Sequence, residues 1–251
     1  MRRQVRVHPA FYARLNLTGA PELRVRFLAG HLPGVEEDFA NDFEGQLPAI
    51  DGRLDVRMVL GAGDGMTYAV LADLDDNGSA AYFTNSNAPQ IFRVAEDDEE
   101  WVVTTWADAT GTITQEEGFN LGGIVVSRNR QVLIVAQGNV GKLWRFDLAT
   151  GTATQIDTGD TDLTNADGLV RRGRHLIVVR NFSQVVTTLH IDRNGHRTQL
   201  VNELATNPDQ VFTTAAIARG RLLLIDSHFD EEIAEPPYEV VALRLRTVFG
   251  R

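Results

Sequence analysis

Apolar residues in the second half of the chain fall into short runs that alternate with polar ones or fill four to six consecutive positions. No capped apolar stripe at helical spacing extends beyond about ten residues. The runs repeat. "YFTNSNAPQIFRV" from Tyr82 aligns without a gap on "IVAQGNVGKLWRF" from Ile134, setting Asn87 on Asn139 and Ile91-Phe92-Arg93 on Leu143-Trp144-Arg145. A third copy, "IVVRNFSQVV", begins at Ile177 and a weaker fourth, "LIDSHFD", at Leu224, giving offsets of 52, 43 and 47 residues.

Each unit has the same internal order. A first strand ("GIVVS", "GLVRR", "AAIAR") leads through a turn carrying Arg or Gly to an apolar second strand ("VLIVA", "LIVVR", "LLLID"). A polar loop and a third strand follow ("KLWRFDL", "VVTTLHI", "EVVALRL"). A turn where Gly151 and Gly195 can take positive φ then leads to a fourth strand in "ATQID" and "TQLV". Four short strands per 40 to 50 residues, rich in Val, Ile and Thr, predict an all-β fold, a β-propeller of four-stranded antiparallel blades. Residues 79–246 hold four units, and residues 1–78 have room for two more, so six blades are expected. "HLPGVEEDFANDFEGQLPAIDG" is too acidic and too often interrupted by Pro and Gly to read as strands, which leaves 1–78 as degenerate blades or an extension. No composition shift divides the chain, and a single domain over 1–251 is expected.

Composition narrows the function classes. A formal net charge of −10 argues against nucleic acid held by counterion release. The absence of cysteine removes disulfides, thiolate zinc sites and a cysteine nucleophile together. No run approaches the roughly 18 apolar residues of a membrane span, and "MRRQVRVHPAFYARLNL" lacks the apolar centre of a signal peptide. A cytoplasmic monomer acting on a small molecule is the expectation, with secretion left open for a chain whose leader has been removed.

The residue that asks for chemistry is Asp167 in "NADGLVRR". The innermost strand of a propeller blade starts near the axis, so a residue just before it can point into the central channel. By the repeat, Gly122 and Thr214 hold the same place as Asp167, and Asn120 and Asn165 stand two residues earlier. Asn and Asp oxygens gathered at one channel mouth form a hard-cation site. A turn-forming Asp-Gly pair is the plainer reading of the same residues. Asn85, Asn165, Arg180 and Asp226 stand in the corresponding polar stretches and are the candidate substrate contacts.

"YFTNSN", "GFNLGGIV", "GNVGKLWRFDLATG" and "NADGLVRRGRHLIVVRN" resemble the six-bladed propellers grouped as senescence marker protein, gluconolactonase and luciferin-regenerating enzyme, in a bacterial branch, over residues 80–246. The resemblance implies a lactone or ester hydrolase using one divalent cation, Ca²⁺ or Mg²⁺, in the channel. That family holds its metal with a Glu opening the first blade, an Asn before a Gly in a middle blade and an Asp before a Gly in a later one. Asp167 matches the last and is carried over as metal ligand and catalytic group. Gly122 occupies the Asn position, leaving Asn120 as the nearest substitute, and neither Glu44 nor Glu117 stands in a first-blade context.

Other constellations give less. The six histidines have no paired metal spacing, "GAGDG" lacks the Lys-Ser/Thr ending of a phosphate loop, and no G-x-S-x-G elbow occurs. Trp101, Trp106 and Trp144 read as packing residues. Two readings remain: a metal-dependent lactone or ester hydrolase, and a propeller that binds a ligand or partner without chemistry.

Overall fold

A computed structural model describes residues 23–28, 54–59, 69–74, 80–97, 100–230 and 239–251. The first two strands, β1 (Leu23–Leu28) and β2 (Leu54–Val59), pair in parallel, a pairing that no unit of the repeat contains. Of residues 1–78, where two further blades or an extension were expected, Ala69–Leu74 instead joins the first repeat unit as its inner strand, and the rest apart from β1 and β2 lies outside the described set.

From residue 69 onward the strands form consecutive antiparallel sheets. The first contains β3 (Ala69–Leu74), β4 (Ala80–Asn85), β5 (Gln90–Asp97) and β6 (Glu100–Asp108). The second contains β7 (Leu121–Val126), β8 (Val132–Gln137), β9 (Lys142–Asp147) and β10 (Ala153–Gln155). The third contains β11 (Ala166–Arg172), β12 (His175–Arg180), β13 (Val185–Ile191) and β14 (Thr198–Ala205). The fourth has β15 (Phe212–Ala218), β16 (Arg221–Asp226) and β17 (Val240–Arg244), followed by one helical turn, α1 (Leu245–Val248). The first strands β3, β7, β11 and β15 lie side by side at the inner edges, which makes these sheets blades of a β-propeller. No helix among the described residues is long and apolar enough to cross a membrane.

The apolar second strands are explained by the layers between blades. Leu133 and Val135 of β8 face Tyr82 and Ile91 of the first blade, whereas Ile134 and Ala136 face Leu176 and Val178 of the third. In β12 the alternation continues, with Ile177 and Val179 turned to Leu222 and Leu224 of the fourth. A strand covered on both faces must be apolar at every position. Outer strands keep one wet face, and β14 (TQLVNELA) is mostly exposed. β16 departs from the expected burial on both faces. Leu222 and Leu224 are buried, but Leu223 and Ile225 are half-exposed, because no further blade covers that side among the described residues.

Backbones crowd at the inner edges. A Cβ on Gly123 would stand 2.2 Å from the Asp167 carbonyl oxygen, and one on Gly168 would stand 2.7 Å from the Thr213 carbonyl oxygen. No side chain fits at either position, so neighbouring innermost strands meet through glycine. Trp144 is buried in the first interblade layer, and Trp106 meets Tyr82 edge to face at 4.9 Å, both as packing residues.

Candidate functional site

Every described first strand breaks register with its partner at the same place: between Ala69 and Ala72, Leu121 and Ile124, Ala166 and Leu169, and Phe212 and Thr214. A bulge frees its residues from the ladder and re-aims their side chains, and bulges recur beside functional sites. Gly122 and Gly123 occupy the bulge of β7, Asp167 and Gly168 that of β11, and Thr213 that of β15. Of these five residues only Asp167 is ionisable.

The neighbouring blade determines the environment of Asp167. Its Oδ1 lies 3.5 Å from where a Gly122 Cβ would stand, so the carboxyl faces bare backbone. Its Oδ2 accepts a hydrogen bond from Asn181 Nδ2 at 3.2 Å. Ala166 and Gly168 on either side are buried, and Asp167 keeps only a minor part of its own surface. Protein packed around the remaining opening raises the pKa from 3.8 to about 7, against the lowering effect of the Asn181 amide. A carboxyl poised there exchanges protons near neutrality.

The second strand of each blade ends in a buried polar residue set opposite the start of the first: Asn85 on Ala69, Gln137 on Leu121, Arg180 on Ala166 and Asp226 on Phe212. Each is engaged within its own surroundings. Asn85 accepts from the Asn87 amide and donates to Gln90 Oε1. Gln137 donates to the Thr114 carbonyl and Asn120 Oδ1, and accepts from Trp144 Nε1. Arg180 donates to the Thr164 carbonyl, Glu203 and Asp162. Asp226 accepts the amides of Val211 and His228.

The two asparagines upstream of the bulges are also anchors. Asn120 Oδ1 accepts from the Glu116 amide and Gln137 Nε2, while its Nδ2 donates to the carbonyls of Glu116 and Gly118. Both lone pairs of Asn120 Oδ1 are thus occupied by protein donors, which is the physical obstacle to its expected use as a metal ligand. Asn165 takes φ 64°, donates Nδ2 to Ser183 Oγ, and gives its backbone amide to the Gly138 carbonyl of the preceding blade. Asp167 therefore meets Asn181 and Gly122, and the carboxamides of Asn85 and Asn120 and the guanidinium of Arg180 are directed to their own loops and strands.

These contacts bear directly on the implied divalent cation. Among the described residues no three His, Asp or Glu side chains come together as a metal site. Asp167 offers one carboxylate, its polar neighbour presents an N–H rather than an oxygen, and Gly122 brings no side chain. The described residues do not fit a hard cation, which takes six to eight oxygen donors as Ca²⁺.

Sequence reasoning passed over Gln137 and Asn181. The signal for Gln137 was present, since the repeat that aligns Ile134 with Tyr82 also sets Gln137 on Asn85. Asn181 stands in the repeat segment "IVVRNFSQVV", but nothing in the sequence pairs it with Asp167.

No protein-family model matches the chain, and no curated protein matches it. Among solved structures it is similar to the major allergen Mala s 1 of Malassezia sympodialis, with TM-score 0.51 and 20% identity over 65% of this chain and 51% of that one. It is similar also to the periplasmic gluconolactonase PpgL of Pseudomonas aeruginosa, with TM-score 0.42 and 16% identity over 55% and 39%. A third is the β-propeller domain of Cps50 (Swd1) from Myceliophteria thermophila, with TM-score 0.48 and 12% identity over 66% and 57%. The match thus spans about half the length of these proteins, and at such identities the likeness concerns the fold.

Proposed function

We propose that the channel mouth at Asp167 binds a small lactone or ester and hydrolyses it, with Asp167 as the proton-exchanging group. The observation that supports this reading is the one ionisable side chain on the inner bulges of the described blades, held by burial at a pKa of about 7. Above that pH the carboxylate accepts a proton from water as the water oxygen bonds to the acyl carbon. The acyl–oxygen bond then breaks, and the carboxyl returns the proton to the departing alkoxide, so a lactone gives a hydroxy acid and an ester gives an acid and an alcohol. Asn181, donating to Oδ2, orients the carboxyl. No step is routed through a cation. The motif resemblance over residues 80–246 supports the substrate class.

A ligand-binding propeller without chemistry is the second reading, favoured by Gly122 and by the complete engagement of Asn120. The separating experiment is hydrolysis of a panel of γ- and δ-lactones and aryl esters from pH 5 to 9, by parent and Asp167→Asn. Lactonase chemistry at Asp167 gives a rate that rises with an apparent pKa near 7 and vanishes in the variant. An active parent with an equally active Asp167→Asn variant sinks the assignment, and a panel without turnover supports the binding reading. Titration of Ca²⁺ and Mg²⁺ against thermal stability in the same two proteins tests the cation separately, because a bound ion stabilises only the native state.

A further inference from the structure

The end of the third blade remote from Asp167 carries a second concentration of unusual side chains. β11 runs from Asp167 to Arg172 over five residues, about 17 Å at strand rise. There the turn into β12 brings Arg172, Arg174 and His175 beside His190 of β13, Arg128 from the β7–β8 turn, and Arg251. Together they border an open groove of about 670 Å³, which Phe249 also lines. The His175 ring lies 4.8 Å from that of Phe249 and 6.1 Å from that of His190. The Arg172 guanidinium stands over the Phe249 ring at 5.8 Å.

The charge of this groove runs against that of the chain. In a protein of net charge −10, four guanidiniums gather with no carboxylate side chain in the lining, and among the described residues none of them forms an ion pair. The positive field is felt locally: burial, and then the charges of His190, Arg251 and Arg174, hold His175 below the ordinary imidazole range. Like charges gathered along one groove are relieved by an anion. Guanidinium forks match phosphate oxygens in pairs and imidazole N–H groups add donors, while Phe249 backs the Arg172 guanidinium and the His175 ring.

We propose that this groove, at the far end of β11 from Asp167, is a binding site for a small molecule bearing a phosphate or diphosphate group. The proposal does not depend on the reading of Asp167.

Calorimetric titration of the full chain with pyrophosphate, inorganic phosphate and citrate, against sodium chloride at equal ionic strength, tests it. The expected order is pyrophosphate tighter than phosphate, with no saturable binding of chloride. The double variant Arg172→Gln/Arg174→Gln should bind pyrophosphate about tenfold or more weakly. Arg219→Gln, an exposed residue in the β15–β16 turn outside the groove, should stay within about twofold of the parent. Pyrophosphate-dependent thermal stabilisation of each variant, with circular dichroism to verify folding, gives a second readout. The proposal is overturned if chloride matches pyrophosphate, if the double variant binds like the parent, or if Arg219→Gln loses as much. Citrate binding more tightly than pyrophosphate overturns the phosphate assignment.

Discussion

Replacing Asp167 by Asn should stabilise the protein above pH 7 and have little effect near pH 4. Asn keeps the size of the side chain and can still accept from Asn181 through Oδ1, but it removes the charge that burial penalises. The native pKa of about 7 stands about three units above the 3.8 of an unperturbed Asp, and each unit is about 1.36 kcal/mol. The native state thus binds more protons than the unfolded state between about pH 4 and 7, so stability falls as pH rises through that window. Below it both states are neutral and there is no penalty. Above it the parent bears the whole cost of a buried carboxylate, at most about 4 kcal/mol, and solvent at the partly open carboxyl reduces that figure. The assay is urea unfolding of parent and variant at pH 4.5, 6, 7 and 8.5 with EDTA present, the difference between them isolating this one group. A gap that widens from about 1 kcal/mol or less at pH 4.5 to roughly 2–4 kcal/mol at pH 8.5 in favour of Asn confirms the reasoning. A constant gap across pH, or a variant less stable than the parent at pH 8.5, refutes it and returns Asp167 to the role of a turn former.

Ile134→Ala and Ile177→Ala should each cost about 2–5 kcal/mol in the same assay, because both side chains are fully buried in interblade layers. Gly123→Ala should destabilise by about 1–3 kcal/mol or more through its 2.2 Å approach to the Asp167 carbonyl, whereas Gly122→Ala, 3.5 Å from Oδ1, should fold normally; equal melting temperatures for the two would contradict the bulge geometry. Arg180→Gln should lower stability by about 1–3 kcal/mol through loss of its bonds to Thr164, Asp162 and Glu203. Its partner carboxylates are exposed enough to be solvated, so a much larger loss would show that Arg180 does more than anchor its blade.

The four-unit repeat, the order of strands within each blade and the positive φ of Gly151 and Gly195 were legible because they are local: alternation, apolar runs and turn residues carry them without reference to distant chain. The apolar second strands could be recognised for the same reason, each showing two buried faces as an unbroken run. The partial exposure of Leu223 and Ile225 could not be, since it depends on whether another blade lies beyond. Asn120 illustrates the limit at the site: its composition and place suit a ligand, and only its four hydrogen bonds reveal an anchor. His175 and His190 look scattered at a separation of fifteen positions, yet strand pairing sets them directly opposite each other.

Asp167 could be singled out from sequence because the repeat places it before an innermost strand, opposite a glycine in one copy and a threonine in another. Its chemistry could not be read there. The pKa of a carboxyl depends on the atoms packed around it, and those atoms come from β7 of the neighbouring blade and from the loop after β12 of its own blade. Periodicity records which face of a strand is covered. The particular backbone or side chain that covers it, and hence the electrostatics of the site, is decided only when separate blades pack.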